Sequence, residues 1–375
     1  LEFRRVLFRS ILVAGSGPAD QYVAGHPEFL FDATPEEARL DPENLHILLA
    51  HLRAATFELP FGPGDRFGSA DAEDLLAFLG EEGHVRRADD GRWYWASEAF
   101  PASEIPLRSA APENVLIIDT GGTRPRVIGE MDLFSAQTQV HDDAIYLHET
   151  RQYHVDRLDW DERKAYVRPV DADHYTQAEL AVTLKPLEAF DEAPIPGARR
   201  LHGEVMVASL ATIYKKLKLD THENLGWGRI HLPEIELHTT AWWLTLDDAA
   251  DGWPRDLLDI AIVGAGRALQ AVASILLMSD PHDLGMTAQV RSPHAERPVI
   301  YLWEAVPGGV GLAHRLFERT AELIDRSIAL LEGCGCERGC PACAGPRDEH
   351  GGDGRAAALL LLRRVAGQTV APPGP

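Results

Sequence analysis

Four cysteines constrain this chain more than any other feature. The 375-residue sequence holds only these, and all lie in ten residues, Cys334-Gly-Cys336-Glu-Arg-Gly-Cys340-Pro-Ala-Cys343. Core packing uses a free cysteine as a small hydrophobe; it does not gather four in a hydrophilic, glycine-rich loop. A C-x-x-C segment turns back on itself, and Gly335, Gly339 and Pro341 supply tight turns that let the sulfurs face inward. The spacing predicts a closed tetrahedral zinc site with Cys334, Cys336, Cys340 and Cys343 as ligands. Such a site leaves no position open, so its role is structural. Arg338 and nearby backbone N–H groups would offset the thiolate charge. An iron–sulfur cluster is the rival reading, since it also takes four cysteines, though its usual compact spacings differ. Disulfides are disfavoured in the reducing, cytoplasmic setting expected here.

The remaining composition is that of a globular protein, 45% hydrophobic and 25% charged, long enough for more than one domain. Lys and Arg total 36 against 58 Asp and Glu, a net charge of −22. Attraction of nucleic acid through the bulk field is thereby excluded. Any polyanion contact needs a local groove of arginines, aromatics and backbone donors. No run approaches ~18 uninterrupted apolar residues. The nearest, 257–278, is broken by Asp259, Arg267 and Gln270 and reads as a buried helix, so no membrane contact is expected. The chain starts at Leu1, and residues 1–10 are basic and apolar, read as a non-native or linker segment outside the fold.

Residues 11–16 read as a buried strand, and 11–40 as the end of a preceding domain plus a linker. Asp41 as cap and Pro42 at the first helical position precede Leu45, Leu48, Leu49 and Leu52 at helical spacing. A second helix carries Leu75, Leu76 and Leu79 and ends at Gly80 and Gly83. Asp89-Asp90-Gly91 then predicts a hairpin between 85–87 and 92–95. Two helices and a ribbon suggest a winged-helix-like domain over 41–110. Its wing bears Arg86, Arg87, Arg92, Trp93, Tyr94 and Trp95, which either meet DNA or pack into the domain. Strands at 115–119, 126–129, 144–149, 153–158 and 165–170 predict a β-rich domain over 111–195, a small antiparallel sheet or barrel. Residues 190–198 read as a boundary. Strands at 203–216 and 235–246 and helices at 253–278 and 308–331 follow, in a mixed α/β zinc-binding domain over 196–375. The fold class is α+β, a multi-domain fragment.

Two further features are ambiguous and two are not. Pro307-Gly308-Gly309 sits between a strand and a helix, where free N–H groups can bind an anion. No Lys-Ser/Thr follows, so it is not a nucleotide P-loop, and a tight packing turn is the alternative. Trp242 and Trp243 offer a stacking platform for single-stranded bases or a piece of core. Gly264-Ala-Gly266 reads as close helix packing. His141, His148, His154 and His174 read as surface or satisfied residues. No nucleophile–base–acid set is present, so no catalytic residues are assigned.

Taken together, EARLDPE at 37–43, RWYW at 92–95, AIYLH at 144–148, TTAWW at 239–243, PGGVGL at 307–312 and CGCERGCPAC at 334–343 resemble the C-terminal half of the MrfA/YprA-type DEAD/DEAH-box DNA helicases. These are superfamily 2 repair enzymes with a four-cysteine zinc-binding domain. The resemblance maps Cys334, Cys336, Cys340 and Cys343 onto the family's zinc ligands. It implies an accessory region of a 3′→5′ DNA translocase that guides single-stranded or forked DNA and braces the motor. In that family ATP is used by RecA-like motor domains that precede this region, and no GxxxxGK[ST] motif occurs here. The chain alone is therefore expected to be non-catalytic. Arg86, Arg87, Arg92, Trp93, Trp95, Trp242, Trp243, Gly308 and Gly309 are the candidate DNA contacts. Ala344, where a bulkier aliphatic residue is common, and the glycine-rich stretch 347–355 depart from the pattern. The alternative is a zinc-stabilised interaction module that docks a repair partner or the motor, which the charge of −22 favours.

Overall fold

The computed structural model describes residues 11–32, 41, 44–68, 70–105, 114–345 and 353–370. Two short helices, α1 (Pro18–Gly25) and α2 (Glu28–Phe31), open it. Residues 11–16 are not the expected strand. They pair with no strand among the described residues, and Ile11, Leu12 and Val13 are exposed.

Helix α3 (Leu45–Glu58) starts one turn later than its sequence signals suggest. Asn44, not Asp41, is the cap; its Oδ1 accepts from the N–H of His46 at 3.0 Å and of Ile47 at 3.3 Å. Pro42 lies outside the described residues. After β1 (Arg66–Phe67) and β2 (Ala70–Asp71), Asp71 caps α4 (Ala72–Glu81). The ribbon follows as β3 (Val85–Arg87) and β4 (Trp93–Trp95), with Gly91 at φ +78° in its turn. Leu52, Leu76, Leu79, Val85 and Trp93 form the core of this two-helix-and-ribbon unit.

A five-stranded sheet comes next: β5 (Asn114–Asp119), β6 (Arg126–Asp132), helix α5 (Leu133–Gln139), β7 (Ile145–His148), β8 (Arg151–Asp159) and β9 (Lys164–Pro169). The strand order is β6-β5-β9-β8-β7. All five expected strands are present, but the sheet is mixed: β9 returns to the middle and pairs parallel to β5. That pairing puts Val115 and Ile117 beside Ala165 and Val167 in one buried cluster with Ala136 of α5.

The third unit is built on the long strands β10 (His174–Ile195) and β11 (Ala198–Lys218). Then come β12 (Asn224–Arg229), β13 (Ile235–Leu246), α6 (Arg255–Leu277), β14 (Leu284–Gln289), β15 (Val299–Glu304), α7 (Leu312–Glu318), α8 (Thr320–Gly333) and α9 (Gly354–Val365). The order is β10-β11-β13-β15-β14, with β12 also on β11. Residues 190–198, read as a boundary, are the closed end of the β10–β11 hairpin, with Ile195 opposite Ala198. A division at 195 would therefore cut one hairpin. Proline and acidic residues here mark an edge strand rather than a linker, because an edge tolerates both.

Alternation along β13 and β15 serves two cores. Trp242, Leu244, Leu246, Ile300 and Leu302 meet the helices α6 to α9. Trp243, Val299, Tyr301 and Trp303 join Val205 and Val207 in a second cluster. Helix α6 is long and apolar enough to cross a membrane, yet 72% of its most apolar window is buried, as in a core helix. Its glycines serve packing, as expected. A Cβ on Gly264 would meet the Gly354 carbonyl oxygen at 2.9 Å, and one on Gly266 the Met286 sulfur at 2.7 Å. The single helix expected over 308–331 is two, broken at Arg319, whose guanidinium donates to the Leu276 carbonyl at 2.9 Å.

Candidate metal centre

The four cysteines follow directly on α8. The Cys334 N–H donates to the Leu330 carbonyl at 3.1 Å, so the helix delivers the first thiol at its last turn. The C-x-x-C turn is closed by N–H groups of Cys343 and Gly345, which share the Cys340 carbonyl at 2.9 and 3.1 Å. Gly339 stands at φ +136°, where a Cβ would meet the Gly345 carbonyl oxygen at 2.8 Å; only glycine fits there. Cys343 and Ala344 are buried in the main core, which anchors the loop. The small Ala344 suits its site, since a Cβ on Gly264 of α6 would lie 3.5 Å from its own Cβ.

All four sulfurs lie within 4.8 Å of one another. Cys334 is 3.5 Å from Cys336 and 3.6 Å from Cys340, and Cys343 is 3.5 Å from Cys336 and 3.6 Å from Cys340. A disulfide needs about 2.05 Å. Four thiolates on a tetrahedral zinc at about 2.3 Å stand about 3.8 Å apart. The observed spacing fits one ion, while an iron–sulfur cluster would hold its cysteine sulfurs much farther apart.

Burial pushes the Cys343 thiol far above its ordinary pKa and raises that of Cys336. Burial also opposes ionisation of Cys334, but the Cys336 N–H and the neighbouring thiols outweigh it and hold this pKa below the usual thiol value. Cys336 and Cys343 thus resist ionisation until a cation's charge is present, and metal uptake by these thiols releases protons.

Sequence reading missed the residue that clamps this loop. Arg355, in the first turn of α9, donates from Nε to the Leu331 carbonyl at 2.6 Å. Its two other nitrogens reach the carbonyls of Cys336 at 2.8 Å and Glu332 at 3.1 Å. A guanidinium thus closes the C-terminal end of α8, where carbonyls lack helical partners, and fixes the second ligand's backbone. Its own N–H donates to the Arg338 carbonyl at 3.0 Å.

The glycine turn has a different occupant from the one sequence suggested. Gly308 and Gly309 do adopt positive φ, +74° and +76°, but their N–H groups donate to the carbonyls of His238 and Val306. The anion at the N-terminus of α7 is the chain's own Glu304. This fully buried carboxylate accepts from the N–H groups of Val310 at 2.5 Å and Ala313 at 2.8 Å, and from the Thr240 hydroxyl at 2.7 Å. The N–H groups that a phosphate would have used are thereby consumed. The turn also holds the first unit: the Asn44 amide donates to the carbonyls of Pro307 and Gly309, both at 2.8 Å.

Trp242 and Trp243 are core, not a stacking platform. Trp242 is fully buried and its indole N–H donates to the Thr320 hydroxyl at 3.0 Å; Trp243 packs on Tyr301. In the wing, Trp93 faces the core and donates to Glu73, and Arg87 pairs with that same carboxylate at 3.0 Å. Trp95 is half-buried against Phe57 and His84. Arg86 and Arg92 are exposed. Among His141, His148, His154 and His174, His141 differs from the expectation: it is fully buried, with Nε2 lacking a partner among the described residues.

Fold and cluster together define a zinc-binding domain of the kind attached to helicases: residues 265–344 match the family described as MrfA Zn-binding domain. Over nearly its whole length the chain is related to the MrfA/YprA-type helicases. It is 46% identical over 341 residues to the uncharacterized ATP-dependent helicase YprA of Bacillus subtilis (strain 168), covering 90% of this chain and 45% of the relative. Crystal structures of the DUF1998 helicase MrfA superpose with a TM-score of 0.66 at 39% identity for one form, covering 93% of this chain and 48% of the other. For a form bound to DNA the values are 0.57 and 44%, covering 94% of this chain and 47% of the other. The chain thus spans about half the length of these relatives.

Proposed function

We propose that this chain is the zinc-braced accessory region of an ATP-dependent 3′→5′ DNA helicase that serves repair. Cys334, Cys336, Cys340 and Cys343 hold a structural zinc, and the region guides single-stranded or forked DNA past RecA-like motor domains of the same polypeptide. One observation carries the reading: the four-sulfur cluster lies inside a stretch that aligns, over 94% of this chain, with a helicase whose structure was solved bound to DNA. Zinc supplies a fixed cross-link between α8 and the α6–α9 core. The chain's own groups do the rest: Arg355 orients the loop, and Glu304 and Asn44 tie the glycine turn to the first unit.

DNA contact in this reading runs through the exposed outer face of the wing, with Arg86 and Arg92 as phosphate partners. Arg87 and Trp93 serve to hold the ribbon on α4 through Glu73. The test is titration of fluorescent single-stranded and forked DNA at several salt concentrations. Wild type is expected to bind with a steep salt dependence and no ATP hydrolysis. The double substitution R86A/R92A is expected to weaken binding and to flatten the log–log salt slope by roughly 1.4, two single-strand phosphate contacts. An unchanged slope would remove the wing from the interface. The second reading, a docking module for the motor or a repair partner, is favoured by the charge of −22 and by Trp227, 62% exposed on β12. Absence of DNA binding at physiological salt would select it.

A further inference from the structure

A second group of metal-binding side chains converges about the closed end of the β10–β11 hairpin. Asp191 comes from β10, His202 from β11 and His314 from α7, and their ligand atoms lie within 4.8 Å of one another. Asp191 Oδ2 is 3.1 Å from His202 Nδ1 and 3.8 Å from His314 Nδ1. The imidazole rings stand 5.2 Å apart, inclined at 60°. We propose that Asp191, His202 and His314 form a second metal site, for a divalent first-row transition ion such as zinc, separate from the four cysteines.

The argument starts from how the three residues are placed. Asp191 and His202 are register partners on adjacent strands, next to a β-bulge between Ala189 and Asp191. A bulge re-aims a side chain. His202 is held in place by the rings of Phe190 and Phe317, at 5.6 and 6.5 Å. Its imidazole is buried and cannot swing to solvent, whereas His314 and Asp191 are open to it. Two ligands bound at about 2.1 Å with angles of 90–110° sit roughly 3.0–3.4 Å apart. The Asp191–His202 spacing lies in that range, and a modest rotation of the exposed His314 brings the other spacing in.

A plain hydrogen bond between His202 and Asp191 explains one of the two distances. It leaves unexplained why a second imidazole from another element presents a nitrogen to the same carboxylate oxygen at 3.8 Å, beyond hydrogen-bond reach. Two imidazoles and a carboxylate suit zinc, nickel, copper or iron rather than magnesium or calcium, which prefer all-oxygen shells. Three protein ligands leave at least one position for water, unlike the closed cysteine site. Glu318, whose carboxylate lies 3.7 Å from His314 Nε2, keeps that ring's far side electronegative. An ion here would pin α7, and with it the Glu304 turn, to the hairpin.

The test is metal counting on the whole chain. After purification without chelator, zinc titration against a chromophoric competitor is expected to give two equivalents per chain, and H314A or D191N only one. Affinity at the second site should fall by roughly tenfold or more when a ligand is lost. Cobalt substitution separates the sites by colour: sulfur-to-cobalt charge transfer persists in H314A, while the weaker bands of nitrogen–oxygen coordination disappear. Both substitutions are at solvent-open side chains, so folding is retained and melting of the variants checks it. One equivalent in wild type, an undiminished second equivalent in both variants, or displacement of the second ion by millimolar magnesium would overturn the proposal.

Discussion

Replacing Arg355 by alanine removes no metal ligand and no core side chain, yet it should loosen the zinc centre. The guanidinium satisfies three carbonyls, of Leu331, Cys336 and Glu332, at 2.6, 2.8 and 3.1 Å. A hydrogen bond from a charged donor is worth about 1.5–3 kcal/mol. The bond to Glu332 is exposed and counts for little, and solvent reaches part of the side chain, so the sum is about 3–4 kcal/mol. For a unit of 150–250 residues each kcal/mol moves the melting temperature by about 2–4 °C, giving a fall of about 6–16 °C. The Cys336 carbonyl anchors a ligand, so about 1.4 kcal/mol of the loss should appear as a roughly tenfold weaker hold on zinc. Calorimetry of the zinc-loaded chain reads the first effect and zinc transfer to a chromogenic chelator the second. R355K keeps the charge but not the three-way geometry, and should recover less than half of either. If R355A melts within about 1 °C of wild type and gives up zinc no faster, the clamp is decorative and the reasoning fails.

Three further outcomes follow from the same geometry. E304Q preserves shape but removes the charge facing the start of α7 and turns one acceptor into a donor beside the Val310 and Ala313 N–H groups; a loss of about 2–3 kcal/mol in denaturant unfolding is expected, and equal midpoints would deny Glu304 its anchoring role. His141 is buried, and burial holds its pKa below the ordinary imidazole value despite opposing contributions from Asp142 and Asp143. The folded state keeps it neutral while the unfolded chain takes up a proton, so this contribution is fully present above about pH 6.5 and is lost progressively as pH falls from there through the lowered folded value; H141F should flatten the melting-temperature slope between about pH 7.5 and 5, and an unaltered slope would place the titration elsewhere. W242F forfeits both indole volume and the bond to Thr320, with an expected cost of about 2–3 kcal/mol, whereas W227A at an exposed position should stay within about 0.5 kcal/mol of wild type.

What the sequence revealed and what it hid divide along a physical line. The cysteine cluster, α6, the ribbon and the strands of the middle sheet are local features: spacing, period and turn residues lie within a dozen positions of one another. Arg355 and Glu304 are not local in that sense. Arg355 reaches its carbonyls across nineteen or more positions, through a glycine-rich stretch that resembles a mere linker. Glu304 ends the run Val299-Ile-Tyr-Leu-Trp, in which every residue is buried. A lone carboxylate closing such a run, just before Pro307-Gly308-Gly309, was the available signal. Burial of an unpaired charge is prohibitive, so an acid in that position must have donors waiting, and the glycine turn into α7 was the nearest source of them. The same turn had looked like a phosphate site because free N–H groups at a helix start attract any anion. Sequence left a tight packing turn and an anion site both open and named Gly308 and Gly309 as contacts, yet the donors that meet the acid are the N–H groups of Val310 and Ala313; a carboxylate supplied by the chain itself loses no association entropy and takes such a site ahead of any ligand.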